Sequence, residues 1–292
     1  MWVLLAVSSA LCLGFYDVFK KLSVRDNDVL MVLLLNTVFG ALYMSPVVLS
    51  GIWSGNWGLG NSVAGHGMIL IKSMIVLGSW ILGYFSIKHL PLTIQGPVTA
   101  SRPVLVLVGA MLIFGERLNG LQWAGILLGF ASLFFISRLG AREGFSLRSS
   151  RWIWMAVGAT VLGAVSALYD KFLLGLYRPL EVQAWYALYQ CVIMSVVLSV
   201  IRAGRSHGAD RFVWRWTIPL IALFLTMADV AYFYSLSLPG AMVAVVSMIR
   251  RGSVLVSFVY GVTVLHERNV KLKAIDLGVL LAGLVLLVLG SR

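Results

Sequence analysis

Residues 91–117 read PLTIQGPVTASRPVLVLVGAMLIFGER, and residues 239–268 read PGAMVAVVSMIRRGSVLVSFVYGVTVLHER. Each stretch opens on a proline, carries arginine within an apolar run and closes on a Glu-Arg pair. These are Arg102 with Glu116-Arg117 in the first, and Arg250 and Arg251 with Glu267-Arg268 in the second. A helix crosses the hydrocarbon core of a bilayer with roughly 20 apolar residues, so both stretches are long enough. An arginine at mid-depth costs about 3 kcal/mol or more on insertion scales, which directs its side chain to a bundle interior or a watery cavity. Two such helices point to one shared cavity.

The surrounding chain has the same character. Of its 292 residues, 60% are hydrophobic and 12% charged, with a mean hydropathy of +0.94. That composition excludes an ordinary soluble domain and predicts an all-α, multi-pass protein of the cell inner membrane, with the lipid bilayer as its solvent. The net charge is +12, yet the basic residues lie between apolar runs, which reads as topology and headgroup contact; no nucleic-acid partner is expected. Cys12 and Cys191 lie inside apolar runs without metal-ligand spacing and read as packing residues. The opening run has no basic leader, so the first helix is expected to be retained.

About ten runs can be counted: 2–22, 29–49, 67–87, 92–114, 119–137, 152–175, 180–201, 216–237, 240–264 and 270–290. The sequence also repeats. Tyr16-Asp17 is echoed by Tyr169-Asp170, and Glu116-Arg117 by Glu267-Arg268, at offsets of 170 − 17 = 153 and 267 − 116 = 151. This predicts two units, residues 1–140 and 141–292, of five helices each. An odd number of spans per unit turns the second upside down, the inverted-repeat plan whose binding site lies near mid-membrane.

Each half has a proline-containing fourth helix, a Glu-Arg corner and a glycine-rich fifth helix (WAGILLG at 123–129, DLGVLLAG at 276–283). In this it resembles the EamA branch of the drug/metabolite transporter superfamily over nearly the whole chain. The resemblance implies a ten-helix secondary carrier that moves a small organic metabolite by alternating access, without a cofactor, as a monomer or homodimer. It also implies termini inside the cell. The charges say otherwise: lysines and arginines gather in the loops after odd-numbered runs, from Lys20, Lys21 and Arg25 to Arg268, Lys271 and Lys273, and the opposite side has Arg117, Arg178 and Arg292. The positive-inside bias then places both termini outside the cytoplasm.

The candidate site residues follow from polarity inside apolar runs. Gln95, Thr99 and Arg102 fall at i, i+4 and i+7, one face of a helix that Pro97 and Pro103 would kink. Arg102 reads either as an anion-binding group or as a structural charge paired with Asp17, Asp170 or Asp229. Ser247 precedes Arg250 and Arg251, which point about 100° apart on a helix, so one is expected to line the cavity while the other pairs with an acid. A guanidinium fork suits carboxylate or phosphate, which makes the substrate anionic or zwitterionic.

Asp17, Asp170 and Asp229 are candidate coupling residues for a proton or cation. The structural alternative pairs Asp17 with Lys20 and Lys21, and Asp170 with Lys171. Tyr16, Trp80, Tyr84, Tyr169, Tyr186, Gln190 and Tyr232 are candidate walls of the substrate site, placed between helices three, four, eight and nine with contributions from one and six. Trp53, Trp57, Trp152, Trp154, Trp214 and Trp216 read as the interfacial belt. The four histidines share no spacing, so no metal site is expected, and no set of groups supports an enzyme acting on lipid. A flippase for a lipid or lipid-linked sugar on the same fold is the alternative to a metabolite carrier.

Overall fold

The computed structural model describes residues 1–24, 27–54, 62–89, 98, 101–140, 151–203, 212–253, 255, 256, 259, 260 and 270–290. Within them the chain forms α1 (Trp2–Val24), α2 (Val29–Ser54), α3 (Val63–His89), α4 (Arg102–Phe114), α5 (Gly120–Gly140), α6 (Arg151–Leu174), α7 (Pro179–Ala203), α8 (Thr217–Ser237), α9 (Val243–Arg250) and α10 (Val270–Gly290). No strand occurs among the described residues. Six helices, α1, α2, α3, α6, α7 and α8, are long and apolar enough to cross a membrane.

Local chemistry sets many of the helix ends. Asp28 caps α2 by accepting the backbone N–H groups of Leu30 and Met31 at 3.0 and 3.2 Å. At the start of α5, Asn119 and Gln122 exchange side-chain and backbone hydrogen bonds, Gln122 N to Asn119 Oδ1 at 2.9 Å and Asn119 N to Gln122 Oε1 at 3.0 Å, a reciprocal cap. Pro179 occupies the first position of α7, where its missing N–H costs nothing. Gly115 ends α4 with φ +63°, and Gly240 follows Pro239 with φ +75° in the tight turn before α9. Both positions need the left-handed conformation that glycine adopts without strain.

Two of the expected runs are described only in part. The described helix α4 begins at Arg102, with residue 98 helical before it; residues 92–97, 99 and 100 of the expected 92–114 run lie outside the described residues. Pro103 suits the first turn of α4, where a missing N–H costs nothing. Helix α9 spans eight residues and tightens into a 3₁₀ turn over Arg251–Ser253, after which residues 255, 256, 259 and 260 are again helical; 254, 257, 258 and 261–264 of the expected 240–264 run lie outside the described residues.

Helices pair across the two halves of the chain: α1 against α8, α2 against α7, α3 against α6, and α5 against α10. Ser9 Oγ donates to Ala228 O at 2.7 Å between α1 and α8, and Ser79 Oγ donates to Ala159 O at 2.7 Å between α3 and α6. Helices α5 and α10 meet at glycine: a Cβ on Gly125 would lie 2.6 Å from Gly283 O. Outward faces are apolar, with Leu4, Leu49, Leu112 and Val200 all exposed, as a lipid-facing surface requires. Trp53, Trp154 and Trp216 also project outward near helix ends, as the interfacial reading expects.

Candidate functional site

A cavity of about 350 Å³ lies among α1, α3, α4, α6, α7, α8 and α9. Its wall draws on the second half of α1 (Leu13 to Lys20), the middle of α3 (Lys72 to Gly83), the start of α4 and the middle of α6. Among the sequence candidates it brings together Tyr16, Asp17, Trp80, Arg102, Asp170, Tyr186, Asp229, Tyr232, Ser247, Arg250 and Arg251. Gln95 and Thr99 lie outside the described residues, and so does the side chain of Tyr84. The polar stripe they were expected to form with Arg102 therefore has only its last member described. Glu267 and Arg268 also lie outside.

Two candidates sit elsewhere. Tyr169 Oη donates to Met68 O at 3.3 Å and packs beside Phe172. Gln190 is buried between α7 and α3, where Nε2 donates to Ser73 O at 3.2 Å. Neither lines the cavity. Both settings are helix packing, in which a buried polar group must find a partner.

The wall's charges divide into paired and unpaired groups. Lys72, 2% exposed, donates to Asp170 across the α3–α6 contact. Its ammonium lies 4.4 Å from the ring centroids of both Tyr186 and Phe233. Taking two ions out of water costs several kcal/mol each, so a buried pair of this kind needs its mutual attraction and the ring faces to offset desolvation. The sequence reading did not weigh Lys72, and it expected Lys171 as the structural partner of Asp170. Lys171 instead donates to Leu236 O at 3.1 Å and Ala241 O at 2.6 Å. The rule that flags Arg102, a charge inside an apolar run, flags Lys72 equally.

Arg250 is the second paired cation. Its Nη2 donates to Asp229 Oδ1 at 3.0 Å, and its guanidinium lies 4.1 Å over the Tyr232 ring. Arg102 and Arg251 have no ion pair among the described residues, and Arg102 Nε is buried without a hydrogen-bond partner. Gly163 makes room for the Arg102 guanidinium: a Cβ there would lie 2.5 Å from Nη2 and 2.6 Å from Nε. Asp17 faces the same cavity, with no hydrogen bond and no ion pair within 4 Å found for it among the described residues; the side chain of Lys21 is not described.

The opposite end of the bundle is tied together among the described residues. Glu116, in the corner after α4, accepts the backbone N–H groups of Val243 and Ala244 at 2.7 and 3.3 Å and so caps the short helix α9. Burial pushes its carboxyl above the usual glutamate value, against those two donors and the nearby Lys171. Lys171 ties α6 to the end of α8, and Ser235 Oγ donates to Trp2 O at 2.8 Å. Tyr232, Phe233, Leu236, Val243 and Val246 fill the space between these ties. The cavity therefore lies toward the other end, where α1 and α3 finish. Among the described residues no group of three metal-ligating side chains is found.

No curated protein matches this chain. A solved crystal structure, 18% identical in sequence, covers 99% of this chain and 96% of its own with a TM-score of 0.74, a likeness of fold. Residues 1–138 match the model of the EamA-like transporter family. That match spans α1 to α4 and most of α5, and three of the six bilayer-length apolar helices, α1 to α3, lie within it.

Proposed function

We propose that the chain is a secondary active carrier of the inner membrane that moves a small anionic or zwitterionic organic metabolite by alternating access. The observation that carries this reading is the pair of guanidinium groups, Arg102 and Arg251, facing one cavity without carboxylate partners. A buried guanidinium lacking a counter-ion is costly unless a ligand supplies one. Arg250, already held by Asp229, serves the site by position and charge.

The architecture we propose is ten spans in two inverted copies, residues 1–140 and 141–292. The helix pairing supports it: exchanging α1–α5 for α6–α10 turns the α1–α8 contact into the α6–α3 contact and leaves α2–α7, α4–α9 and α5–α10 unchanged. Alternation would then consist of opening the end tied by Glu116 and Lys171 while the cavity end closes. The cavity end coincides with the lysine- and arginine-rich loops, which under the positive-inside bias face the cytoplasm. Asp17, unpaired on the wall, is the acid best placed to couple a proton to this cycle.

Reconstitution tests the reading. Vesicles containing the protein are expected to take up a labelled metabolite from an anion and zwitterion panel. Arg102→Ala and Arg251→Ala should each lower uptake by tenfold or more, the value of a lost charge-assisted hydrogen bond of about 1.5–3 kcal/mol. Uptake unchanged in both variants would remove the arginines from substrate binding.

A further inference from the structure

Resting on the carrier reading, a residue of the second half fixes how Arg102 faces the cavity. Arg102 opens α4, and its side chain crosses to α6, where Gly163 receives it. A Cβ on Gly163 would lie 2.4 Å from Cζ, 2.5 Å from Nη2 and 2.6 Å from Nε of Arg102, closer than Cβ contacts occur. The guanidinium therefore occupies the space that the missing methyl leaves. Both residues line the cavity, and Arg102 Nε is buried without a hydrogen-bond partner. We infer that Gly163 is a positioning residue: it seats the Arg102 guanidinium, and through that seat it sets the affinity of the carrier for an anionic substrate.

Glycine weakens a helix interior relative to alanine, so its place in the middle of α6 calls for a reason in packing. What each glycine makes room for differs along the chain. On Gly14 of α1 a Cβ would lie 2.5 Å from Val256 Cβ and 2.8 Å from Ser253 O, and on Gly125 it would lie 2.6 Å from Gly283 O. Those glycines admit backbone or a Cβ, which move only if a helix moves. Over Gly163 lies the far end of a long, flexible side chain. An added methyl there displaces a charge and leaves the helices in place.

Displacement matters because of what the group has to do. A guanidinium holds a carboxylate or phosphate through parallel N–H donors, and the plane of the fork fixes where the anion must sit. Turning that plane loses the paired hydrogen bonds while the charge stays. Gly163 thus bears on recognition without touching the anion.

Uptake by vesicles containing the full-length protein tests this, with labelled pyruvate, succinate, glutamate and glycerol phosphate as probes. For each probe that the natural protein takes up, Gly163→Ala should raise KM about tenfold and keep the maximal rate. Its unfolding temperature should match that of the natural protein, whereas Gly14→Ala should lower it. A double-variant cycle then asks whether the alanine acts through Arg102. Lysine has no planar fork to meet the new methyl, so in the Arg102→Lys background Gly163→Ala should leave KM unchanged. An alanine that merely filled the cavity would raise KM in both backgrounds. That result would overturn the inference, and so would an unaltered KM in Gly163→Ala alone.

Phenylglyoxal, which reacts with guanidinium groups, gives a readout that needs no transport. Peptide mass spectrometry should show Arg102 modified severalfold faster in Gly163→Ala than in the natural protein, because the displaced group stands in the open cavity. Arg251, on the same wall, should keep its rate. Equal rates at Arg102 in the two proteins sink the seat and leave the carrier standing. Uptake of no anion, zwitterion or cation by the natural protein sinks the carrier and the claim on affinity with it, and the labelling rates then decide whether the seat exists.

Discussion

Asp170 on α6 and Asp17 on α1 occupy matching places in the two halves of the sequence, and their settings differ. Asp170 is buried and answered by Lys72 from the facing helix α3, whose ammonium is enclosed by two aromatic rings. At the same offset of 153, Lys72 is answered by Leu225 on α8, since 225 − 72 = 153, and Leu225 also lines the cavity. Asp17 is thus left without a lysine across from it. One of these two helix contacts, α3 against α6, is closed by an internal ion pair, and at the other, α1 against α8, no ion pair is found among the described residues. Matching places in the sequence do not bring matching charge partners.

Breaking the closed side should have the largest effect. Lys72→Ala strands a buried carboxylate and is expected to cost about 3–5 kcal/mol, read as a lowered unfolding temperature in detergent. The double variant Lys72→Met with Asp170→Asn should recover most of that loss, because it removes both charges together. Asp229→Asn comes next. Arg250 keeps its stacking on Tyr232 and both side chains are less enclosed, so the expected loss is about 1–3 kcal/mol.

Asp17→Asn, on the open side, should change stability by less than about 1 kcal/mol, because it removes a charge that has no partner. The same change should tighten anion binding and alter the pH profile of uptake. A stability loss equal to that of Asp170→Asn would erase the contrast between the two acids.

The smallest effect is expected at Glu116. Burial raises its carboxyl above the ordinary value of 4.5, so the native protein holds that proton more firmly than the unfolded chain does. The corresponding stability is present below pH 4.5 and is lost as pH rises through the folded value. Glu116→Gln should flatten this part of a stability-against-pH curve. A steeper decline toward acid in the natural protein than in the variant would show the opposite sign.

Most of the helices were legible in the sequence because a bilayer-scale apolar run is a local signal. So was the gathering of Arg102, Arg250 and Arg251 at one cavity, since a charge within such a run has few places to go. What escaped depends on distant partners. The start of α9 at Val243 is fixed by Glu116, 127 residues earlier, and the role of Lys72 is fixed by Asp170, 98 residues later. Nearest-neighbour spacing suggested Lys171 for Asp170, but Lys171 lies one position along the same helix and points to carbonyls of the α8–α9 corner. Tyr169 and Gln190 are polar for the same reason as the cavity residues, and only the packing shows that each serves a helix contact.

The glycine seam between α5 and α10 has a further consequence. Among the described residues neither helix contributes to the cavity wall, and a Cβ on Gly125 or Gly283 would lie 2.6 or 2.8 Å from the other glycine's carbonyl oxygen. The cavity wall and this part of the adhesion between the halves are therefore written in separate stretches of the chain, so that the cavity-facing side chains of α4 and α9 can change while the α5–α10 seam stays untouched.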